Sequence, residues 1–286
     1  MTEKRWTFKE VTLPFIIFTA IWGSTWIVIR DQLGIVPPQW SVAYRFVIAA
    51  VAMALVATWK GESLRIGGKA IGAAIVLGSA QFCINFNAVY LAEQHITSGV
   101  VATVFALLLI PSTLMSWAFL GHRPSARFVW SSLIAVLGIG LTLIGMVGAS
   151  AANVFQAREE VRRFPLLAML AWSMAFGAVM DAAIAFTMTG PPVFDSRPGY
   201  WLGVVYLALP ASVLTFSLYY PVVRKIGPAK AAYSSAIIPI IAMTFSTALE
   251  GYRWSPLAIA GALLAIGGMI GALRREKDVV APPDAA

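Results

Sequence analysis

The chain is poor in the residues on which most catalytic and metal sites depend. It has one cysteine, Cys83, and two histidines, His95 and His122. A single cysteine excludes an intrachain disulfide and a cysteine-based metal cluster. No HExxH motif and no paired acids within an apolar stretch are present, so the groups that a membrane-embedded enzyme needs are missing. We therefore expect no enzymatic activity, no cofactor and no bound metal.

Charge is scarce as well. Only 12% of residues are charged and 59% are apolar, whereas a soluble domain is roughly a quarter charged. The net charge of +8 does not indicate nucleic-acid binding, because the basic residues border apolar stretches instead of forming one stripe. We expect these residues to face anionic lipid headgroups.

Long apolar stretches dominate what is present. A bilayer core needs about 20 helical residues, and backbone groups in hydrocarbon must be satisfied within the segment, which favours helices over open strands. The first stretch is too long for a signal-peptide core and lacks a cleavage site, so it is predicted to be an uncleaved span. The predicted spans are Val11–Ile29, Pro38–Thr58, Lys69–Tyr90, Thr97–Leu120, Ala126–Val147, Pro165–Thr187, Trp201–Val223, Ala231–Leu249 and Ser255–Leu273.

The basic residues predict the orientation of these spans. Of the 21 Lys and Arg residues, 17 fall into six short clusters between apolar stretches. Cytoplasmic loops of membrane proteins carry such an excess. The pattern predicts a multi-pass protein of the inner membrane with both termini in the cytoplasm.

One helix is missing from this count. The chain leaves the cytoplasm after Arg127 and must return by Arg158, which leaves the 30 residues 128–157, whereas two crossings need about 40. A re-entrant segment, an engineered deletion or a gap in the chain would each explain the shortage. We expect the junction near Gly145–Ala152, within the region 145–157 in which one span is missing.

The sequence contains an internal repeat. The segment that begins at Pro111 resembles the one that begins at Pro239, and GHRPS at 121–125 matches GYRWS at 251–255. The first of these loops is predicted inside and the second outside. Such an inverted repeat is typical of secondary transporters. We therefore expect two units, 1–147 with five helices and 148–286 with four full helices and the tail of a shortened one.

Several short motifs carry a resemblance to a known family. They are Ile21–Trp26 (IWGSTW), Tyr44–Phe46 (YRF), Pro111 followed by Gly121–Arg123, and Pro239 followed by Glu250–Arg253. With them the chain resembles the drug/metabolite transporter superfamily, in its EamA-type ten-helix exporter branch, and is most similar there to aromatic amino-acid exporters of the YddG type. The resemblance implies an all-α membrane protein in which two inverted five-helix halves surround a cavity that opens alternately to each side.

The sequence departs from the family in two places. The family's second half begins with a span that ends near 153–158, and only its tail is predicted in this chain. His122 stands where the family often has Glu, whereas Glu250 is kept in the second half.

Polar and aromatic residues within the spans are candidates for substrate binding. Gln81 and Asn85 are four apart and share a helix face. They either bind the polar head of a substrate or clamp neighbouring helices, since unpartnered amides in hydrocarbon are costly. An exporter of apolar amino acids also needs aromatic walls. The candidates for those walls are Trp22, Tyr90, Trp172 and Tyr206, and Ser212 adds a hydroxyl that either binds substrate or joins helices.

Two ionisable residues lie within spans. Asp181 either relays protons, as intramembrane acids often do, or forms an ion pair or an interfacial contact. Arg45 either snorkels to the outer interface or binds a substrate carboxylate, and the structural role is favoured.

Four prolines interrupt spans, namely Pro111, Pro210, Pro221 and Pro239. Each removes a helical hydrogen bond and bends the helix. The bends at Pro111, Pro210 and Pro239 are candidate hinges for a rocking transporter or static kinks.

These features favour a secondary exporter of small metabolites, with aromatic or other apolar amino acids as the expected substrates. The alternatives are a channel, for which no filter motif or ring of like residues is visible, and an integral membrane enzyme. The expected partners are a small-molecule substrate and the lipid bilayer, without nucleic acid, for a monomer or weak homodimer.

Overall fold

The computed structural model describes residues 8–95, 109–120, 140–232, 234–249 and 259. Every element of regular structure within these ranges is helical. Three stretches are π-helical, namely Phe8–Thr12, Gly78–Asn85 and Leu209–Leu214. The α-helices are α1 (Leu13–Gln32), α2 (Pro38–Trp59), α3 (Gly68–Leu77), α4 (Phe86–His95), α5 (Leu109–Leu120), α6 (Gly140–Ala157), α7 (Glu159–Arg162), α8 (Leu166–Thr189), α9 (Pro198–Ala208), α10 (Thr215–Ile226), α11 (Pro228–Ala231) and α12 (Ser234–Leu249).

Five helical segments in the described ranges are long and apolar enough to cross a membrane. They are Lys9–Gln32, Pro38–Trp59, Gly68–Gln94, Leu166–Thr189 and Pro198–Ile226. Each overlaps a span predicted from the sequence, so the prediction of an all-α membrane protein is confirmed. The predicted span Ser255–Leu273, apart from residue 259, lies outside the described residues, as do residues 97–108 and 126–139 of two other predicted spans.

Two of the spans contain a π-helical segment near their middle. Gly78–Asn85 joins α3 to α4, and Leu209–Leu214 joins α9 to α10. Pro210 lies at the start of the second segment, where its missing N–H gives a local reason for the change in hydrogen bonding. Single-turn π segments within α-helices are frequent at functional sites.

Helix α6 occupies the region in which one span is expected to be missing. It runs without interruption from Gly140 to Ala157 over 18 residues, through the predicted junction near Gly145–Ala152. At about 1.5 Å per residue, this helix is about 27 Å long, close to the thickness of a bilayer core. It joins the end of the predicted span Ala126–Val147 to the stretch predicted to be a tail, and it packs against the Gly78–Asn85 segment, α4 and α5. The shortage of one helix stays a prediction. The assignment of 1–147 and 148–286 to separate units stays a prediction.

One end of the bundle collects the loops that were predicted to lie outside. Arg197 Nη1 lies 3.8 Å from Asp31 Oδ1, so the loop before α9 meets the end of α1. The Tyr44 hydroxyl donates to the Val193 carbonyl at 3.0 Å, and the Trp201 indole donates to the Asp195 carbonyl at 2.8 Å. These contacts join the ends of α1, α2, α8 and α9.

The opposite end collects segments that were predicted to be cytoplasmic. Lys225 Nζ pairs with Glu10 Oε1 at 3.1 Å, which joins α10 to the turn before α1. Glu62 Oε2 accepts the Ala168 backbone N–H at 2.9 Å, so the loop after α2 holds the start of α8. Segments assigned to the same side of the membrane thus lie at the same end of the bundle.

Glycines let the Gly78–Asn85 segment lie directly against its neighbours. A Cβ atom at Gly78 would lie 2.6 Å from the Ser173 carbonyl oxygen of α8, and one at Gly177 would lie 2.6 Å from Phe82 Cβ. On the α6 side, a Cβ at Gly148 would lie 2.8 Å from the Ala80 carbonyl oxygen. The segment is therefore held between α6 and α8 by backbone contacts that leave no room for a larger side chain.

Candidate functional site

A cavity of about 670 Å³, including the open space at its mouth, lies between α1, α2, the Gly78–Asn85 segment, α4, α6, α10 and α12. Both repeats predicted from the sequence contribute to its walls. Four of the predicted site residues line it, namely Trp22, Arg45, Gln81 and Asn85. The cavity therefore brings together three candidates for substrate binding and one of the two candidate ionisable groups.

Tryptophan and other aromatic side chains form an apolar wall of this cavity. Trp22 packs edge-on against Tyr219, with ring centroids 4.9 Å apart, and against Phe216 at 5.4 Å. The Trp22 indole donates to the Ala211 carbonyl at 3.1 Å, which fixes the ring between α1 and the second π segment. Trp26 also lines the cavity. A rigid aromatic wall of this kind suits a flat, apolar ligand group.

The amides of the third span face the cavity as predicted from their spacing. Gln81 and Asn85 are 5% and 3% exposed. Gln81 Oε1 accepts a long hydrogen bond of 3.4 Å from the Tyr220 hydroxyl, whereas Asn85 Oδ1 has no partner among the described residues. Asn153 of α6, which the sequence analysis did not select, also lines the cavity, and its Oδ1 is likewise buried without a hydrogen bond.

Arg45 is the cation of this cavity. It is 1% exposed, so the prediction that it snorkels to the outer interface is wrong. Its guanidinium carbon lies 4.3 Å from the centre of the Phe86 ring, a cation–π contact that holds the group inward. Nε donates to Ser212 Oγ at 3.0 Å, but the buried Nη1 has no hydrogen-bond partner among the residues described.

Ser212 and Tyr90 lie behind Arg45 instead of lining the cavity. Ser212 Oγ donates to the Leu207 carbonyl at 2.8 Å while accepting from Arg45. The Tyr90 hydroxyl donates to Gln32 Oε1 at 3.1 Å and also interacts with the guanidinium. The structure thus places both predicted residues as supports of Arg45.

Two predicted aromatic residues lie away from the cavity. Tyr206 forms a hydrogen bond with Ser24 and so joins α9 to α1. Trp172 is 37% exposed, and its indole donates to the Leu64 carbonyl at 3.0 Å. These two positions are corrected from cavity wall to helix contacts, because the helical rotation that decides which face is buried is not evident from an apolar sequence.

Asp181 of α8 faces the Gly78–Asn85 segment on a side away from the cavity. It is fully buried, and its Oδ1 accepts the Asn87 amide at 2.6 Å. Asn87 Nδ2 also donates to the Cys83 carbonyl at 3.0 Å. Asp181 does not line the cavity, and no ion-pair partner for it occurs in the described ranges.

The prolines lie in helical surroundings. Pro239 is buried inside α12 and Pro210 opens the second π segment. Pro111 lies within α5. No group of three or more His, Cys, Asp or Glu residues that could hold a metal occurs in the described part of the chain.

The model of the EamA-like transporter family matches this chain twice, at residues 12–144 and 141–274. "Protein PagO" of Salmonella typhimurium is 21% identical over 264 residues, which cover 86% of this chain and 87% of that protein. "Uncharacterized inner membrane transporter YedA" of Escherichia coli is 25% identical over 255 residues, covering 83% and 82%. The "Probable terminal-alkyne amino-acid exporter" of Streptantibioticus cattleyicolor is 24% identical over 283 residues, covering 92% and 93%.

A solved structure titled "Crystal structure of protein" shares the fold. It superimposes with a TM-score of 0.68 at 20% identity and covers 92% of this chain and 97% of its own. The apolar helices and the relatives together make the chain a multi-pass protein of the inner membrane. Because the family model matches two consecutive segments that span most of the sequence, the chain belongs to the EamA-like transporter family of the drug/metabolite transporter superfamily.

Proposed function

We propose that this transporter exports amino acids with aromatic or other apolar side chains by alternating access through the cavity. The observation that carries the proposal is the meeting, in one cavity, of a buried guanidinium, several amides and a tryptophan wall. These three kinds of group match the three parts of such a substrate, which are a carboxylate, an ammonium group and an apolar side chain.

The carboxylate is assigned to Arg45. A buried cation without a charged partner is costly, and Arg45 has only the neutral groups Ser212, Tyr90 and the aromatic rings around it. Its unpartnered Nη1 supplies a donor that a substrate carboxylate satisfies with a charge-assisted hydrogen bond. This assignment adopts the carboxylate-binding alternative that the sequence left open for Arg45.

The ammonium group is assigned to the amide oxygens. Asn85 Oδ1 and Asn153 Oδ1 are buried acceptors without partners, and Gln81 Oε1 makes only one long hydrogen bond. An ammonium group supplies the N–H donors that these oxygens lack. Burying an amide without a hydrogen bond costs about 1–3 kcal/mol, so these oxygens favour a ligand that brings N–H donors to them.

Alternating access is supported by the repeat and by the cross-links at the two ends of the bundle. The family model matches two successive segments, and Arg45 and Ser212 join one to the other beside the cavity. Contacts such as Lys225 with Glu10 at one end and Arg197 with Asp31 at the other are exposed pairs of small energy. They can break and re-form when one half rocks against the other, with the prolines as candidate hinges. The basic clusters support a cytoplasmic position for both termini.

Counterflow in proteoliposomes tests the proposal. Vesicles loaded with unlabelled L-phenylalanine should take up labelled L-phenylalanine faster than unloaded vesicles, because a carrier returns more quickly when it is occupied. Gln81→Ala should lower the rate without loss of folded protein, whereas Ser79→Ala, on the same π segment but bonded to Ile75 and Met180, should not. Uptake that is indifferent to internal substrate would indicate a channel and overturn the proposal.

A further inference from the structure

The Gly78–Asn85 segment connects the cavity to a buried carboxylate that the proposed function does not use. On its cavity side it carries Gln81 and Asn85. On the side that faces α8, the Cys83 carbonyl accepts from Asn87, and Asn87 donates to Asp181. A change at Asp181 therefore acts on the backbone that positions the cavity amides.

The surroundings of Asp181 provide no countercharge. Helix α8 packs mainly against α2, α3 and the π segment. Of the ionisable groups there and on the adjoining α4, Arg45 points into the cavity, Tyr44 stacks on Phe194 and Lys69 is exposed. Glu93 of α4 is buried and is an acid. Among the described residues, the groups that interact with the carboxylate are Cys83, Asn87 and Tyr90, and none of them is a cation.

The carboxylate is incompletely hydrogen-bonded. Asp181 Oδ2 and Asn87 Oδ1 are buried without a nitrogen or oxygen partner within the described ranges, and the weak thiol donor of Cys83 is the further hydrogen-bonding group beside the carboxylate. One added proton converts the carboxylate to a neutral acid and supplies an O–H donor. A metal cation needs more oxygen ligands than this cluster offers.

We propose that Asp181 is a proton-binding site, separate from the substrate cavity, that couples proton entry to substrate export. This inference rests on the proposed carrier function. With Asp181 ionised, its bond to Asn87 holds the π segment in the arrangement that presents Gln81 and Asn85 to substrate. When Asp181 takes up a proton, its carboxyl becomes a donor, the bond from Asn87 weakens and the cavity amides shift.

The cycle balances one proton against one substrate. Substrate binding from the cytoplasm favours the ionised state and releases the proton there. Loss of the substrate on the outer side allows Asp181 to bind a proton from that side, and the return of the empty cavity carries the proton inward. π segments suit such a step because they exchange between i→i+4 and i→i+5 hydrogen bonding.

Proton release measures this coupling directly. Purified protein in unbuffered detergent solution with a pH indicator should release about one proton per L-phenylalanine bound, in keeping with one titrating carboxyl. Asp181→Asn, which mimics the protonated state, should release none. The matched change at an exposed acid, Glu159→Gln, should behave like the wild type. Equal release by wild type and Asp181→Asn would overturn the proposal.

Transport separates this proposal from the carrier function. Asp181→Asn should show weaker L-phenylalanine counterflow than the wild type, because its cavity amides stay in the shifted arrangement, and it should lose the accumulation that a pH gradient drives in wild-type vesicles. Absence of counterflow in the wild type counts against the carrier itself, whereas counterflow that no pH gradient influences counts against Asp181 alone.

Infrared spectroscopy covers the cases in which Asp181→Asn does not fold or L-phenylalanine does not bind. The wild-type protein alone should show a protonated carboxyl band that disappears as the pH is raised, and Asp181→Glu should shift the position of that band. A spectrum without a titrating buried carboxyl, in wild type and Asp181→Glu alike, would contradict the proposal.

Discussion

Arg45 of α2 donates through Nε to Ser212 Oγ at 3.0 Å, and this hydrogen bond joins the two family-matched segments beside the cavity. Ser212 is held in turn by the Leu207 carbonyl of α9. The orientation of the guanidinium in the first segment therefore depends on the second π segment, so that a movement between the halves also moves the cation.

We expect Ser212→Ala to lower both the stability of the protein and its transport, because Ser212 holds Arg45 in place. The substitution leaves the buried Nε without an acceptor, which costs about 1–3 kcal/mol. Thermal unfolding in detergent should show a lower midpoint, and L-phenylalanine counterflow should fall. Ser217→Ala, on the same span but bonded to Val213 and Met53, is the control. Unchanged counterflow in Ser212→Ala would show that Arg45 does not need this support.

Trp22 and Trp172 should differ in their effect on transport. Trp22 lines the cavity and donates to Ala211, whereas Trp172 donates to Leu64 outside it. Trp22→Phe should lower L-phenylalanine affinity, because the wall loses its fixed indole. Trp172→Phe should leave affinity unchanged, although it removes a similar hydrogen bond. Equal losses in both variants, measured by saturable binding, would remove Trp22 from the site.

The close glycine contacts of the Gly78–Asn85 segment should affect the stability of the folded protein. Gly78→Ala places a Cβ 2.6 Å from the Ser173 carbonyl oxygen, which backbone movement must relieve at a cost of about 1–3 kcal/mol. Gly72→Ala, with open space at its Cβ, should be neutral or stabilising by about 0.5–1 kcal/mol, since alanine is the better helix former. The unfolding midpoints of the two variants compare these effects. A Gly78→Ala midpoint at or above that of Gly72→Ala would contradict the close packing of α8.

The loop before α9 should become less stable in acid. The backbone N–H of Arg197, together with its side chain, lowers the pKa of Asp195 below its usual value. A lowered pKa in the folded state means that Asp195 contributes stability above its unfolded pKa and loses that contribution as the pH falls through its folded pKa. The protection factors of the backbone amides in residues 190–197, which remove the intrinsic pH dependence of hydrogen exchange, should therefore fall on acidification. Asp195→Asn should reduce that fall, and an identical pH profile in the variant would contradict this role.

The membrane-spanning helices were largely predictable, because the length of an apolar stretch can be compared with the thickness of the bilayer and because basic clusters indicate the loops between spans. The shortage of one helix near 145–157 stays a prediction. Helix α6 supplies one helix of 18 residues there, and residues 126–139 lie outside the described part of the chain.

The cavity was predictable only in part. Gln81 and Asn85 were found because paired amides are unusual in hydrocarbon. The inward position of Arg45 was missed, because a long basic side chain near a span end can reach the interface equally well. Phe216 and Asn153 were not selected either, because aromatic and amide residues occur throughout membrane helices and only the assembled bundle decides which of them face inward.

Equilibrium binding of L-phenylalanine and phenylethylamine, which lacks the carboxylate, tests the assignment of Arg45 most directly. The wild type should prefer L-phenylalanine by about 10- to 100-fold, as a charge-assisted hydrogen bond of about 1.5–3 kcal/mol implies. Arg45→Gln should bind both compounds with similar affinity, while Arg65→Gln, at an exposed position, should keep the preference. A wild type that binds the two equally, or an Arg45→Gln variant that still prefers the amino acid, would contradict the account.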